Sequence, residues 1–141
     1  GLLTGILYGL NVNAVLQDIK SINLGTVYES VVAQELAAHG FKLHYYDNKQ
    51  RGEVDFLIDD YNALSVLPLE IKSGKDYTEH SALSKFVATP EYGIGRAIVF
   101  SNERSVYKKK GVTYMPVYYC MFLQNDNGGD SIILPELDAL Q

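Results

Sequence analysis

Two short apolar runs, each carrying charge, set the tightest limit on how this chain can fold: Glu53-Val54-Asp55-Phe56-Leu57-Ile58 and Leu67-Pro68-Leu69-Glu70-Ile71-Lys72-Ser73-Gly74. Read as strands, the first places Val54, Phe56 and Ile58 on one face and Glu53, Asp55 and Leu57 on the other. The second opposes Leu69 and Ile71 to Glu70 and Lys72. Charges flanked in this way are costly to bury unless paired or bound to a metal. Two solutions are open. In one, Asp55 and Glu70 supply hard oxygen ligands to Mg²⁺ or Mn²⁺, and Lys72 positions an attacking water and balances charge on a phosphodiester. In the other, Lys72 forms a salt bridge with Glu70 or Asp55 at a sheet edge.

The motif Glu53-Val-Asp55-Phe, then Glu70-Ile-Lys72-Ser-Gly, follows Gly25-Thr-Val-Tyr-Glu29-Ser-Val-Val-Ala-Gln-Glu-Leu. In this order the segments resemble the C-terminal domain of a large group of prokaryotic AAA-type ATPases. That domain is in turn similar to the PD-(D/E)XK nuclease superfamily. The resemblance implies an α/β fold with a restriction-endonuclease-like mixed central sheet flanked by helices on both faces. It also implies a ligand set of Glu29, Asp55 and Glu70 for Mg²⁺ or Mn²⁺, joined by the Ile71 carbonyl, with Asp55, Glu70 and Lys72 as the catalytic residues. Val54 stands where the superfamily name has proline. The domain organisation that follows is an N-terminal helical segment over residues 1–20, left from a linker to an ATPase domain, a nuclease-like domain over 21–123, and an acidic tail over 124–141. The partners implied are that ATPase domain and DNA, with a second copy of the chain as a further candidate. A docking or regulatory module attached to the ATPase, with the charges kept as an ion-pair network, is the alternative.

At 141 residues the chain amounts to one domain. No apolar run is long enough for a membrane span and no cleavable leader is visible, which reads as cytoplasmic and without a membrane partner. The net charge of −5 argues against a nucleic-acid partner, but four of the 17 acids, Asp126, Asp130, Glu136 and Asp138, sit in a tail without a base, and the remainder nearly balances the 12 basic residues. Lys49 and Arg51 before the site, Lys75 after it, and Arg104 with Lys108 to Lys110 further on are the candidate phosphate contacts, though solvated loops explain such clusters equally well. The single Cys120 excludes an internal disulfide and reads as a small core residue.

Along the chain, the apolar start over residues 1–10 suggests a piece of something longer, and a short helix is expected over 12–19. Asn23 is placed to cap a helix over 24–39 that Gly40 ends, with Leu24, Val27, Tyr28, Val31 and Val32 as its core stripe and Glu29 at the border. Strands follow over 41–46, 53–58 and 64–72 as an antiparallel meander, with Pro68 near a strand start or edge. His80 heads a helix over 81–87 and has no partner that spacing can name. A fourth, central strand covers 97–101. Residues 107–112 read as a polar turn and 113–118 as the last strand, with Pro116 at an edge. Gly93-Ile-Gly95 precedes a strand, not a helix, which excludes a phosphate loop. The pairs Tyr45-Tyr46 and Tyr118-Tyr119 are assigned to packing ahead of base stacking. The segment at Ile132 packs on the body or on a partner.

Overall fold

The computed structural model describes residues 24–60, 63–73, 78, 80–125 and 132–133. The expected helix over 12–19, the Asn23 cap, Lys75 and most of the acidic tail lie outside these residues. Helix α1 spans Leu24–Ala38 and strand β1 His44–Asn48. Next come β2 (Gly52–Asp60), β3 (Ser65–Lys72) and the short helix α2 (Ser81–Val87). Strands β4 (Ala97–Ser101), β5 (Tyr107–Lys109) and β6 (Val112–Pro116) follow. A 3-10 helix at Val117–Phe122 leads to a small ribbon of β7 (Gln124–Asn125) and β8 (Ile132–Ile133). The segment at Ile132 therefore pairs with the first two residues of the tail, Gln124 and Asn125. Among the described residues no helix is long and apolar enough to cross a membrane.

The main sheet is mixed, with six strands in the order β1-β2-β3-β4-β6-β5. The first three form the antiparallel meander that short turns dictate. Strand β4 joins β3 in parallel after the α2 crossover, and β6 joins β4 in parallel. Strand β4 is central and buried along its whole length, as a compact apolar run requires.

Helices cover both faces. Val32 and Leu36 of α1 pack on Phe56, Ile58, Leu67, Leu69, Ile71, Ile98, Phe100 and Met115. On the other face Leu83 and Phe86 of α2 pack on Val54, Ala97, Val99, Val112 and Tyr114. Helix α1 ends as its sequence requires: Gly40 has φ 84° and its N–H bonds the Ala37 carbonyl, while the Phe41 N–H returns to Leu36. Its buried stripe is rotated from the expected one. Val27, Val32 and Leu36 are buried, whereas Val31 is 40% exposed.

Five expectations need correction. The first strand begins three residues later than expected, at His44. Residues 107–109 form an edge strand, closed onto β6 by a tight turn in which Lys110 and Gly111 have φ of 50° and 78°; a Tyr-Lys-Lys run carries no apolar alternation, because only one side of an edge strand is paired. Strand β6 is thus flanked on both sides, and Pro116 is its last residue, not a marker of the edge. Pro68 is the fourth of eight residues in β3 and buried. It is tolerated there because the registered pairing of β3 with β4 starts only at Leu69.

The fifth correction bears on the site. His44 pairs with Leu57, but Tyr46 pairs with Val54, so Tyr45 stands opposite two residues of β2, Asp55 and Phe56. The extra residue is a β-bulge, and it reverses the alternation. Val54 accordingly joins the α2 core while Phe56 and Ile58 join the α1 core. Next to the bulge, Gly52 takes φ +95°, and a Cβ there would lie 2.8 Å from Cβ of Ala82 on α2.

Candidate functional site

The bulge decides where Asp55 goes. The registered pairing of β2 with β3 runs from Asp60↔Ser65 to Phe56↔Leu69 and stops there. Beyond it β3 continues beside β4 through Glu70↔Val99, Ile71↔Phe100 and Lys72↔Ser101. The two strands part at Asp55, and the Ile71 N–H, left without a ladder partner on that side, donates to Asp55 Oδ2 at 2.6 Å. A side-chain carboxylate replaces a rung of the sheet. Hydrogen bonds to a charged acceptor of this kind stabilise by about 1.5–3 kcal/mol.

Glu70 and Lys72 project from the face of β3 opposite Leu69 and Ile71, as alternation requires. Lys72 Nζ lies 2.8 Å from Glu70 Oε1, and the Glu70 side chain is only 7% exposed. Its second oxygen, Oε2, is buried without a hydrogen-bond partner. Glu29, half-buried on α1, is close enough to feel Asp55, Glu53 and Lys72. The structure thus brings Glu29, Asp55, Glu70 and Lys72 into one electrostatic group at the ends of β2 and β3. The group lies at the carboxyl ends of the parallel strands β3, β4 and β6, the usual place for binding sites in open α/β sheets.

The electrostatics show incomplete compensation. Burial, then the neighbouring Glu70 charge, pushes Asp55 up to about 6 despite the Ile71 N–H and Lys72. Burial also raises Glu70, outweighing the contact with Lys72, and Glu29 is raised by burial and by Asp55. Burial pulls Lys72 down, but its bond to Glu70 and the charges of Asp55 and Glu29 prevail, so it ends above its ordinary value. Three acids raised around one ammonium is the signature of a pocket short of positive charge. Among the described residues no three His, Cys, Asp or Glu side chains are close enough to hold a metal ion as a ready-made cluster.

The other sequence candidates are placed differently. Lys49 is exposed at the tip of the β1–β2 hairpin. The Arg51 guanidinium lies 5.3 Å above the Tyr92 ring and donates to the Tyr92 hydroxyl at 2.9 Å, so it is committed to the α2 side of the sheet. Cys120 is a buried core residue, its thiol pushed up by burial to about 11. Tyr46 packs edge-on against Phe86, and Tyr119 is buried, but Tyr45 and Tyr118 are 77% and 51% exposed. Packing therefore accounts for one member of each pair. His80, partnerless by spacing, is buried between Ser84 Oγ at 3.1 Å and the Tyr114 hydroxyl at 2.6 Å. Only the fold brings residue 114 there. A second buried ion pair, Arg96 Nε to Asp60 Oδ2 at 2.7 Å, also escapes sequence reading, because the partners lie 36 residues apart.

Fold and site together define a mixed α/β domain with a carboxylate pair and a lysine where two strands part. The chain belongs to the family described as "Domain of unknown function (DUF4143)", which matches residues 24–120. No curated protein and no solved structure gives a significant match.

Proposed function

We propose that this domain is a PD-(D/E)XK-like nuclease of restriction-endonuclease type, attached to an AAA-type ATPase, that hydrolyses DNA phosphodiesters with Mg²⁺ or Mn²⁺. The observation that carries the reading is the Asp55–Glu70–Lys72 arrangement: two carboxylates raised by burial and a lysine on adjacent strands, with Glu70 Oε2 left buried and unpartnered. A hard cation fits it. Mg²⁺ is commonly held by one or two carboxylates and keeps several waters, so a ready-made three-ligand cage is not required. Glu70 Oε2 and the free oxygen of Asp55 would hold the ion, with Glu29, whose carboxyl feels the Asp55 charge, as the third acid of the set. The Ile71 carbonyl is a further donor. In an extended strand the N–H and C=O of one residue point to the same side, and the Ile71 N–H already faces Asp55.

When bound, the ion would supply Lewis acidity and a nucleophilic water at neutral pH. The remaining work belongs to the chain. Lys72, anchored on Glu70 Oε1, presents its ammonium where negative charge grows on the scissile phosphate. The Ile71 N–H fixes the Asp55 carboxylate in one orientation. Asp55→Ala and Lys72→Ala are expected to abolish cleavage of plasmid and duplex DNA while near-ultraviolet circular dichroism stays native. Unchanged cleavage by either variant refutes the proposal.

The Lys72–Glu70 contact also favours a second reading. In it the domain is a non-catalytic docking module for the ATPase, and the ion pair is structural. Metal affinity separates the two readings, since a salt-bridged site binds Mn²⁺ no better than Asp55→Asn does.

A further inference from the structure

Between α2 and the β5–β6 hairpin lies a cavity of about 420 Å³ whose polar lining is Thr78, His80, Ser84, Lys109, Lys110 and Tyr114. Among the described residues that lining contains no carboxylate. The 650 Å³ cavity beside β2, by contrast, is bordered by Asp59 and Asp60 and is mostly apolar. Lys109 and Lys110 are exposed, and neither has an ion-pair partner among the described residues. Lys110 also occupies a left-handed turn position, φ 50°, where asparagine or glycine would sit without strain. A lysine here runs against local preference, which makes a role for its ammonium the simplest explanation.

The floor is rigid. His80, 9% exposed, bonds Ser84 Oγ through one ring nitrogen and the Tyr114 hydroxyl through the other. A neutral imidazole can donate at one nitrogen and accept at the other, so it holds both hydroxyls in place. Tyr114 is stacked on Tyr107 at 4.7 Å and cannot swing aside. Two ammonium groups with one hydroxyl still able to donate, and no acid among the described residues of the lining, suit a tetrahedral oxyanion.

The cavity shares the candidate centre's face of the sheet. Glu70 is in register with Val99 and Val99 with Tyr114, on neighbouring strands. At strand spacings of about 4.8 Å, Tyr114 lies on the order of 10 Å from Glu70. Measured along the axis of a duplex, which carries one phosphate per about 3.4 Å on each strand, that is a reach of roughly three nucleotides.

We propose that this cavity is a phosphate-binding subsite, formed by Lys109 and Lys110 over His80, Ser84 and Tyr114, that grips a backbone phosphate of nucleic acid a few nucleotides from the scissile bond. The assignment of the scissile bond rests on the nuclease reading; the binding does not. The test is fluorescence anisotropy with a fluorescein-labelled duplex of about 20 base pairs, in EDTA so that no metal or cleavage contributes. It compares wild type, Lys109→Ala/Lys110→Ala, and a control, Lys42→Ala/Lys85→Ala, that removes two exposed lysines outside the cavity lining. The cavity variant is expected to bind about tenfold more weakly at low salt, with a salt dependence shallower by about two counterions. The control should stay near wild type. Equal loss in both variants, or no loss in the first, overturns the subsite. Titration with inorganic phosphate, followed by the His80 ring resonances, is expected to saturate in wild type and not in the cavity variant; no response in wild type overturns it as well. A chain that binds the duplex through these lysines yet never cleaves it would end the nuclease reading and leave the subsite standing.

Discussion

Replacing Asp55 by asparagine is expected to make the metal-free domain more stable at neutral pH, although it removes the charge from a hydrogen-bonded acceptor. Burial and the Glu70 charge raise the Asp55 carboxyl from 3.8 to about 6. A group raised in the folded state stabilises the fold while protonated, and that contribution is lost as pH climbs through its folded value. Between about pH 4 and pH 6 the native protein holds a proton that the unfolded chain releases, so stability falls with rising pH. At about 1.4 kcal/mol per unit the full shift corresponds to ~3 kcal/mol. Asp55 is only half-buried, and solvent screening reduces the effect to ~1.5 kcal/mol. The amide that replaces the carboxylate carries no charge, and its carbonyl oxygen can still accept from the Ile71 N–H. Urea denaturation across about pH 4 to 7 should show variant and wild type close together at the acid end and the variant ahead by ~1.5 kcal/mol at the neutral end. A variant that is less stable at neutral pH, or a difference that does not change with pH, would refute the idea that Asp55 is held as an undercompensated carboxylate.

Lys72→Met leaves Glu70 buried without its cation and should cost ~2 kcal/mol at neutral pH in urea denaturation, with the loss shrinking in acid as Glu70 takes up a proton. Arg96→Ala strands Asp60, whose side chain is 1% exposed, and is expected to cost ~3 kcal/mol; chemical denaturation checks it, and Arg96→Lys should recover only part because one ammonium replaces a fork. Gly52→Ala meets Ala82 at 2.8 Å in a backbone conformation that alanine resists, so its thermal midpoint should drop by an amount equivalent to ~2 kcal/mol.

Much of the scaffold is readable from local pattern. The 97–101 run is apolar without alternation and becomes the central strand β4; Gly40 stops α1; short turns force the first three strands into a meander. Leu69 and Ile71 fall on one side of β3, and Glu70 and Lys72 on the other, as a period of two requires. What escaped is non-local. A bulge depends on the partner strand, so no pattern within residues 53–58 reveals that Val54 and Phe56 face opposite ways. Strand β5 consists of Tyr107, Lys108 and Lys109 and owes its existence to pairing with β6, not to propensity. The expectation that Val31 is buried failed because the angle at which α1 meets the sheet is set by Val32 and Leu36, which are fully buried. At the site, spacing named Asp55, Glu70 and Lys72, and the fold brings them together. Spacing could not show that the Ile71 N–H would take the place of a ladder partner for Asp55, nor that His80 would find Tyr114.

The measurement that bears most directly on the proposed metal site is a calorimetric titration of Mn²⁺ into wild type, Asp55→Asn and Glu70→Gln at mildly alkaline pH, with thermal midpoints followed in parallel. Saturable binding and a raised midpoint are expected in wild type, and neither in the two variants. Equal or absent binding in all three would contradict the site and leave Lys72, Glu70 and Asp55 as a structural ion-pair network.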